Sequence, residues 1–200
     1  IKLMIKSLIS RNNNFNDNRK LAYLLIIATI PIVIAGLLGK DFIESNRNSI
    51  ASIAYMNLLF AGFLLFAYKY SASSKSLIEL TIAGAIFIGI FQVFALFPGA
   101  SRSGTAMTAA LLIGLNLKDS SKFAFLLAIP TIFGALVFLI GDMALYETKI
   151  NIISLVVGFL TSCIVAFLTI KYFLIFVEKI GMYPFVIYRI LLGVLLLALI

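Results

Sequence analysis

The sequence predicts an all-α, polytopic membrane protein, with a single membrane domain over residues 1–200. Of the 200 residues, 62% are hydrophobic and only 12% are charged, whereas soluble domains carry about 25% charged residues. The mean hydropathy is +1.13. The apolar residues also form uninterrupted runs of the length that membrane-spanning helices need. Together these three observations exclude a soluble domain.

The apolar runs predict five transmembrane helices, because a helix of about 20 residues crosses the hydrocarbon core. A basic, Asn-rich segment over residues 1–20 comes before the first run, and we expect it to lie in the cytoplasm. Pro31 and Pro130 fall inside two of the runs, which a membrane helix tolerates when its neighbours satisfy the freed backbone groups. The predicted spans cover residues 21–39, 50–68, 123–140, 152–170 and 183–200.

Residues 81–115 differ from the other runs, because a polar stretch divides them into two short apolar arms. The arms are 81–97 and 105–115, and at 1.5 Å per residue they reach only about 25 Å and about 16 Å. Neither arm comfortably crosses a core of about 30 Å. The pattern therefore predicts a re-entrant helical hairpin that enters and leaves on the same side of the membrane.

The basic residues support this topology. If the segment is a hairpin, eleven basic residues lie on one face of the membrane and three on the other. The positive-inside rule places the richer face in the cytoplasm, so the tip of the hairpin points outward. A net charge of +8 is then explained by topology and by attraction to anionic lipids, without a nucleic-acid partner.

The polar stretch at the hairpin tip, Pro98 to Gly104, predicts an anion site. An Arg at membrane depth costs about 2.5–3.5 kcal/mol, and no carboxylate in the hairpin compensates Arg102. A guanidinium suits bidentate contact with phosphate, Gly99 and Gly104 allow close backbone approach, and the helix opening near Thr105 adds its positive dipole end. Alternatively, Arg102 pairs with a carboxylate of another helix and the small residues only permit close packing.

Other polar residues have several interpretations. Ser101 is a hydrogen-bond donor to the anion, a helix cap or a nucleophile, and the absence of a nearby base favours the first two. Arg189 reaches the interface, pairs with a buried carboxylate or contacts the lipid phosphate. Gln92 bonds across helices or lines the substrate cavity. Asp119, with Ser120 and Ser121, caps the following helix.

Residue usage excludes several other classes of site. The chain has no His and one Cys, which excludes a Ser-His-Asp triad, His-ligated zinc and an intrachain disulfide. The eight Asp and Glu residues form no convincing metal-binding pair. The chain begins with Ile1 and lacks a signal-peptide pattern, and we expect it to be the later part of a longer protein.

The segment FQVFALFPGASRSGT (residues 91–105), followed by FAFLLAIP (residues 123–130), resembles the second signature of the bacterial undecaprenyl-diphosphatase family, the bacitracin-resistance membrane phosphatases. Ile30-Pro31 with Gly36-Leu37-Leu38 resembles the first half of that family, and residues 184–189 (PFVIYR) resemble its last helix. The resemblance implies six transmembrane helices and two re-entrant hairpins in an inverted repeat. It also implies hydrolysis of undecaprenyl diphosphate to the monophosphate and phosphate, which recycles the lipid carrier of peptidoglycan synthesis.

The resemblance further implies a location and roles for particular residues. The protein would lie in the bacterial cytoplasmic (inner) membrane, with its active site facing the periplasm and a polyprenyl diphosphate lipid as substrate. Arg102, Ser101 and Ser103 would be catalytic, and Gly99, Gly104, Thr105 and Gln92 would contribute to substrate binding.

The other signature of the family, Glu-x-x-x-Glu followed by Ser-Ser-x-Gly-His, does not occur in these residues. The divalent metal ion (Mg²⁺ or Ca²⁺) that the family implies would therefore have no ligands here. A lipid flippase or transporter that uses the same anion site, and an inactive remnant, are the alternative functions. The oligomeric state stays open.

Overall fold

The computed structural model describes residues 16–40, 43, 45, 49–72, 74–145 and 151–200, and its regular elements are all helical. Short 3₁₀ helices lie at Leu77–Glu79 and Val93–Leu96. These described residues contain seven α-helices: α1 Asn16–Leu38, α2 Ile50–Tyr70, α3 Ile82–Gln92, α4 Arg102–Leu112, α5 Leu117–Leu145, α6 Ile152–Ile180 and α7 Tyr183–Ala198.

Four of these helices are long and apolar enough to cross a membrane, by length and composition: α1, α2, α5 and α6. Helix α7 has 16 residues and is about 24 Å long. Most of the predicted basic segment, residues 1–15, lies outside the described residues, and α1 begins at Asn16. The predicted span boundaries themselves stay predictions.

Helices α5 and α6 run beyond the predicted spans. Lys171 and Lys179 therefore lie on α6, although the sequence suggested a connecting segment there. Lys and Glu are good helix formers, so polar residues alone do not end a helix. The helix ends where Gly181 adopts a φ of +85°, a conformation that glycine adopts without steric cost and that commonly terminates helices.

The chain enters and leaves the α3–α4 hairpin at adjacent points. The amide of Lys75 donates to the carbonyl of Gly114 (2.9 Å), and the amide of Asn116 donates back to the carbonyl of Lys75 (2.9 Å). The carboxylate of Asp119 accepts from the amide of Leu77 (2.9 Å). These bonds join the two ends of the hairpin, so both arms begin at the same end of the helix bundle.

Asp119 does not cap α5 as the sequence suggested. The side chain of Asn116 takes that place, because its Oδ1 accepts from the amide of Asp119 (2.8 Å). Ser120 and Ser121 instead donate to carbonyls of the preceding turn, at Leu115 and Leu117. The carboxylate of Asp119 is thus free to hold the base of the hairpin.

Several lysines meet at this end of the bundle. The Nζ of Lys20 donates to the carbonyl of Ile78 at the base of the hairpin (2.6 Å). Lys118, near the start of α5, pairs with Glu178 near the end of α6 (2.7 Å). The beginnings of α1 and α5, the hairpin base and the end of α6 therefore lie together, and the hairpin tip points away from them.

The hairpin packs closely into the bundle. Helix α3 lies against α1, while α4 lies against α5 and α2, and α2 lies against α7. Gly89 is the point of closest approach between α3 and α1, since a Cβ at this position would overlap the backbone carbonyl of Ala28. Small residues allow helices to approach in this way in a membrane, where packing and hydrogen bonds drive association. The largest fully buried side chains include Phe60, Leu64, Ile88, Met107, Leu111, Phe123 and Leu127.

We predict that Gly89→Ala lowers the free energy of unfolding by about 1–3 kcal/mol, the usual effect of overpacking. The neighbour is backbone and cannot move aside. The matched control is Gly62→Ala, because a Cβ at Gly62 meets nothing within 4 Å, and this substitution should stabilise by about 0.4–1 kcal/mol. Unfolding in detergent measures both, and equal effects of the two variants would contradict the backbone contact.

Candidate anion-binding site

The hairpin tip is a tight turn that connects the 3₁₀ helix to α4. The amide of Ala100 donates to the carbonyl of Phe97 (3.2 Å), and Gly99 has a φ of +94°. A Cβ at Gly99 would overlap the carbonyl of Ile53 in α2. The turn is therefore pressed against the backbone of α2, and only glycine fits both the space and the conformation.

Ser101 is the N-cap of α4 and holds a conformation that is rare outside glycine. Its φ is +67°, and its Oγ accepts from the amide of Gly104 (3.3 Å). Its carbonyl accepts from the amide of Thr105 (2.9 Å). Non-glycine residues with positive φ are uncommon and cluster at functional sites. The cap that the sequence favoured for Ser101 is thus present.

Arg189 of α7 binds the same turn from within the protein. It is 2% exposed, and its Nη2 donates to the carbonyls of Gly99 (2.9 Å) and Ala100 (3.2 Å). Its Nε donates to the Oδ1 of Asn57 (2.7 Å). The expectation that Arg189 reaches the interface or pairs with a carboxylate is wrong. The side chain is buried, and its hydrogen bonds go to the side-chain oxygen of Asn57 and to two backbone carbonyls.

Asn57 completes this cluster and was missed by the sequence analysis. Its Nδ2 donates to the backbone carbonyl of Arg189 (2.6 Å), so the two residues bond reciprocally. Asn57 lies in the otherwise apolar helix α2 and is buried. A polar residue within a membrane span is rare and marks function or helix contact, and that signal could have identified it.

Arg102 is the first residue of α4, and its side chain is exposed. None of the described carboxylates pairs with it. It lines a cavity of about 200 Å³ between α1, α5 and the 3₁₀ helix. The other lining residues are mostly apolar: Ile32, Val33, Gly36, Leu96, Thr131, Gly134, Ala135 and Phe138.

The first turn of α4 adds positive potential beside Arg102. The amides of Gly104 and Thr105 bond to Ser101, whereas those of Arg102 and Ser103 have no carbonyl partner within the helix, as in any first turn. Such free amides and the helix dipole attract anions. Gly104 leaves room for Arg189, since a Cβ there would lie 2.7 Å from Nη1.

The remaining predicted site residues occupy different positions in the hairpin. Ser103 is half-buried on the first turn of α4. Thr105 is fully buried, and its hydroxyl donates to the carbonyl of Arg102 (2.9 Å). Gln92 is also fully buried, and it donates to the Oγ1 of Thr131 (3.1 Å), which lines the cavity. The roles of these residues in binding or catalysis stay predictions.

The described residues do not fit a metal site. Among residues 16–40, 43, 45, 49–72, 74–145 and 151–200, no three His, Cys, Asp or Glu side chains come together.

A model of the family described as bacitracin resistance protein BacA matches residues 1–195 of the chain. This chain belongs to the BacA family. Membership confirms the resemblance seen in the Pro98–Gly104 segment. It also confirms the predicted fold class, a polytopic all-α membrane protein.

Curated relatives of this BacA-family chain are named undecaprenyl-diphosphatase. The protein of Alcanivorax borkumensis is 42% identical over 187 residues, which are 94% of this chain and 71% of the relative. That of Saccharophagus degradans is 43% identical over 187 residues (92% and 69%). That of Colwellia psychrerythraea is 43% identical over 179 residues (88% and 65%). The chain thus spans roughly two thirds of the length of these relatives.

The positive φ of Ser101 yields a prediction about stability. Ser101→Ala loses the cap, at a cost of about 1 kcal/mol, and keeps the unfavourable conformation. Ser101→Gly also loses the cap, but it relieves the backbone by about 1–2 kcal/mol. Thermal unfolding in detergent should therefore rank the Gly variant above the Ala variant.

Ser120 of α5 provides the reversed control. It is a fully buried serine inside a regular helix, where Gly is less favourable than Ala by about 1 kcal/mol. Ser120→Ala should therefore unfold at a higher temperature than Ser120→Gly. The same order at both positions would contradict the conformation of Ser101.

Proposed function

We propose that this protein hydrolyses undecaprenyl diphosphate to undecaprenyl phosphate and inorganic phosphate. The observation that carries the proposal is the exposed guanidinium of Arg102, which lies at a helix N-terminus and opens into a mostly apolar cavity. Relatives that are 42–43% identical are named for this activity. Recycling of the lipid carrier of peptidoglycan synthesis would follow from it.

The geometry fits a phosphorylated lipid because it combines a cationic hydrogen-bond donor with an apolar cavity. A diphosphate needs donors and positive charge, which Arg102 and the first turn of α4 supply. A polyprenyl chain needs apolar walls, which Val33, Leu96 and Phe138 provide beside the same guanidinium. A free phosphate ion would need no apolar wall, so the lining favours a lipid over a soluble anion.

In the proposed reaction, a water oxygen attacks the terminal phosphorus and the bond to the bridging oxygen breaks. The bridging oxygen keeps the electron pair and leaves with the lipid monophosphate, while one proton of the water stays on the released phosphate and the other passes to solvent. Catalysis of this kind depends on positioning and on neutralising charge rather than on covalent chemistry. Arg102 would hold the phosphate oxygens bidentately, with Ser103 and the amides of the first turn as additional donors.

Ser101 would contribute as a cap and as a donor to the substrate. Its Oγ already accepts from the amide of Gly104, and a hydroxyl has a proton left to donate. These 200 residues contain no His, so they offer no imidazole that could activate it as a nucleophile. Gly99 and Gly104 would contribute to substrate binding by shaping the turn. Thr105 and Gln92, which are both buried, would contribute by supporting it.

We place the protein in the bacterial inner membrane, with the hairpin tip facing the periplasm. Lys20, Lys75 and Lys118 lie at the end of the bundle that is opposite to the tip. The positive-inside rule assigns the lysine-rich end to the cytoplasm. The divalent metal ion that the family implies would be held by residues outside those described.

The activity itself is tested with protein from the complete coding sequence, purified in detergent and supplied with Mg²⁺ or Ca²⁺. We expect release of inorganic phosphate from undecaprenyl diphosphate in proportion to the amount of protein. Liposomes that contain a labelled lipid phosphate provide the comparison. Movement of this lipid across the bilayer without any release of phosphate would refute the phosphatase and favour a flippase.

The role of Arg102 is tested by its charge-conserving variant. We expect Arg102→Lys to lower kcat/KM by about 10²–10³-fold, the usual effect of removing one preorganised donor, because an ammonium cannot form the bidentate contact. Arg102→Ala should lower it further. Arg19→Lys, at the basic end of α1, is the matched control and should keep wild-type activity. Near-normal activity of Arg102→Lys would contradict the bidentate contact.

A further inference from the structure

We propose that Arg189 is a positioning residue that holds the Gly99–Ser101 turn in the shape required for binding the anion. The inference rests on the proposed phosphatase function, because it assigns Arg189 to the same site. Arg189 belongs to α7, far along the chain from the hairpin, and it is buried beneath the turn. It would therefore act through the turn rather than by touching the substrate.

The hydrogen bonds of Arg189 fix both the guanidinium and the turn. Nη2 donates to the carbonyls of Gly99 (2.9 Å) and Ala100 (3.2 Å), two consecutive peptides. Asn57 holds the other side of the planar group through Nε (2.7 Å) and also bonds to the backbone of Arg189 (2.6 Å). Because a guanidinium is rigid, anchoring one edge directs the other edge at the two carbonyls.

The orientation of these carbonyls determines where the amides of the turn point. A peptide group is planar and trans, so its N–H points opposite to its carbonyl. The carbonyls of Gly99 and Ala100 point at Arg189, and the amides of Ala100 and Ser101 must point away from it. The amide of Ala100 bonds to Phe97 (3.2 Å). The amide of Ser101 likewise points away from Arg189, opposite to the carbonyl of Ala100.

The charge of Arg189 also indicates an anion. Nη1 is buried without a hydrogen-bond partner, and it lies against the first turn of α4 at Gly104. No described carboxylate pairs with this guanidinium. A buried cation beside the positive end of a helix is unfavourable on its own. An anion bound at the turn would compensate it.

A labelling experiment tests the position of the turn without relying on activity. Ala100 is fully buried in the turn, and Ala110 is fully buried at the far end of α4. Each is replaced by cysteine, as Ala100→Cys or Ala110→Cys, in a protein in which the exposed Cys163 and any other cysteine are serine. The rate of reaction with a water-soluble maleimide is then compared between Arg189 and Arg189→Gln proteins.

We expect Arg189→Gln to raise the labelling rate by about tenfold or more at Ala100→Cys and to leave Ala110→Cys slow, since only the turn would open. A rise at both positions, or at neither, would overturn the inference. Arg189→Lys, which keeps the charge and a single donor group, should give an intermediate rate at Ala100→Cys. If Arg189→Lys labels at Ala100→Cys as fast as Arg189→Gln does, the turn needs the planar guanidinium and the inference holds. If Arg189→Lys labels at the wild-type rate, the inference is overturned.

Turnover provides the second readout. A displacement of about 1 Å can cost about 10²-fold in rate, so Arg189→Gln should lower kcat by about this factor when it is assayed at a temperature at which unfolding in detergent shows the variant to be folded. Because Asn57 acts through Arg189, Asn57→Ala should add nothing to the loss in Arg189→Gln. Additive losses would overturn the inference. If the wild-type protein releases no phosphate, the proposed function fails, yet the labelling result still decides the position of the turn.

Discussion

The architecture depends on the hydrogen bonds that Arg189 donates to the backbone of the hairpin tip. A helix that is broken at membrane depth leaves backbone carbonyls without their usual helical partners, and Arg189 supplies the missing donors. Backbone groups in that environment must be satisfied within the protein, and a turn cannot satisfy its own outward carbonyls. The carbonyls of Gly99 and Ala100 are satisfied by one guanidinium, which Asn57 holds in place. The hairpin can therefore end in a turn inside the bundle, where α4 presents its N-terminus to a cavity.

Backbone contacts at glycines make this arrangement possible. Gly89 brings α3 onto the backbone of α1, Gly99 brings the turn onto α2, and Gly104 leaves space for Arg189. The hairpin is thus fixed at its arm, its tip and its first turn, while the bonds of Lys75 to Gly114 and Asn116 join its base. Arg102 is the first residue of the helix whose position this packing fixes.

Local patterns in the sequence predicted a large part of this structure. Arm lengths predicted the hairpin, and the cap expected of Ser101 is present, whereas the anion site at Arg102 stays a prediction. The contact of Asn57 with Arg189 could not be predicted, because 132 positions separate the two residues and no local periodicity links them. Helix ends were also poorly predicted. Helix α6 continues through Lys171 and Lys179, since charged residues favour a helix once it leaves the apolar layer.

The two arginines at membrane depth have opposite roles, and only their surroundings distinguish them. Neither has a carboxylate near it in the sequence. The Arg102 side chain is exposed to a cavity, whereas four hydrogen-bond contacts involving Asn57 and two backbone carbonyls hold Arg189 in the interior. The Nε and Nη2 of Arg189 are occupied by these bonds and its Nη1 is buried, so this guanidinium can order the site but is not exposed to a ligand. The exposed guanidinium is therefore the group available to bind an anion, and the buried one sets the backbone that presents it.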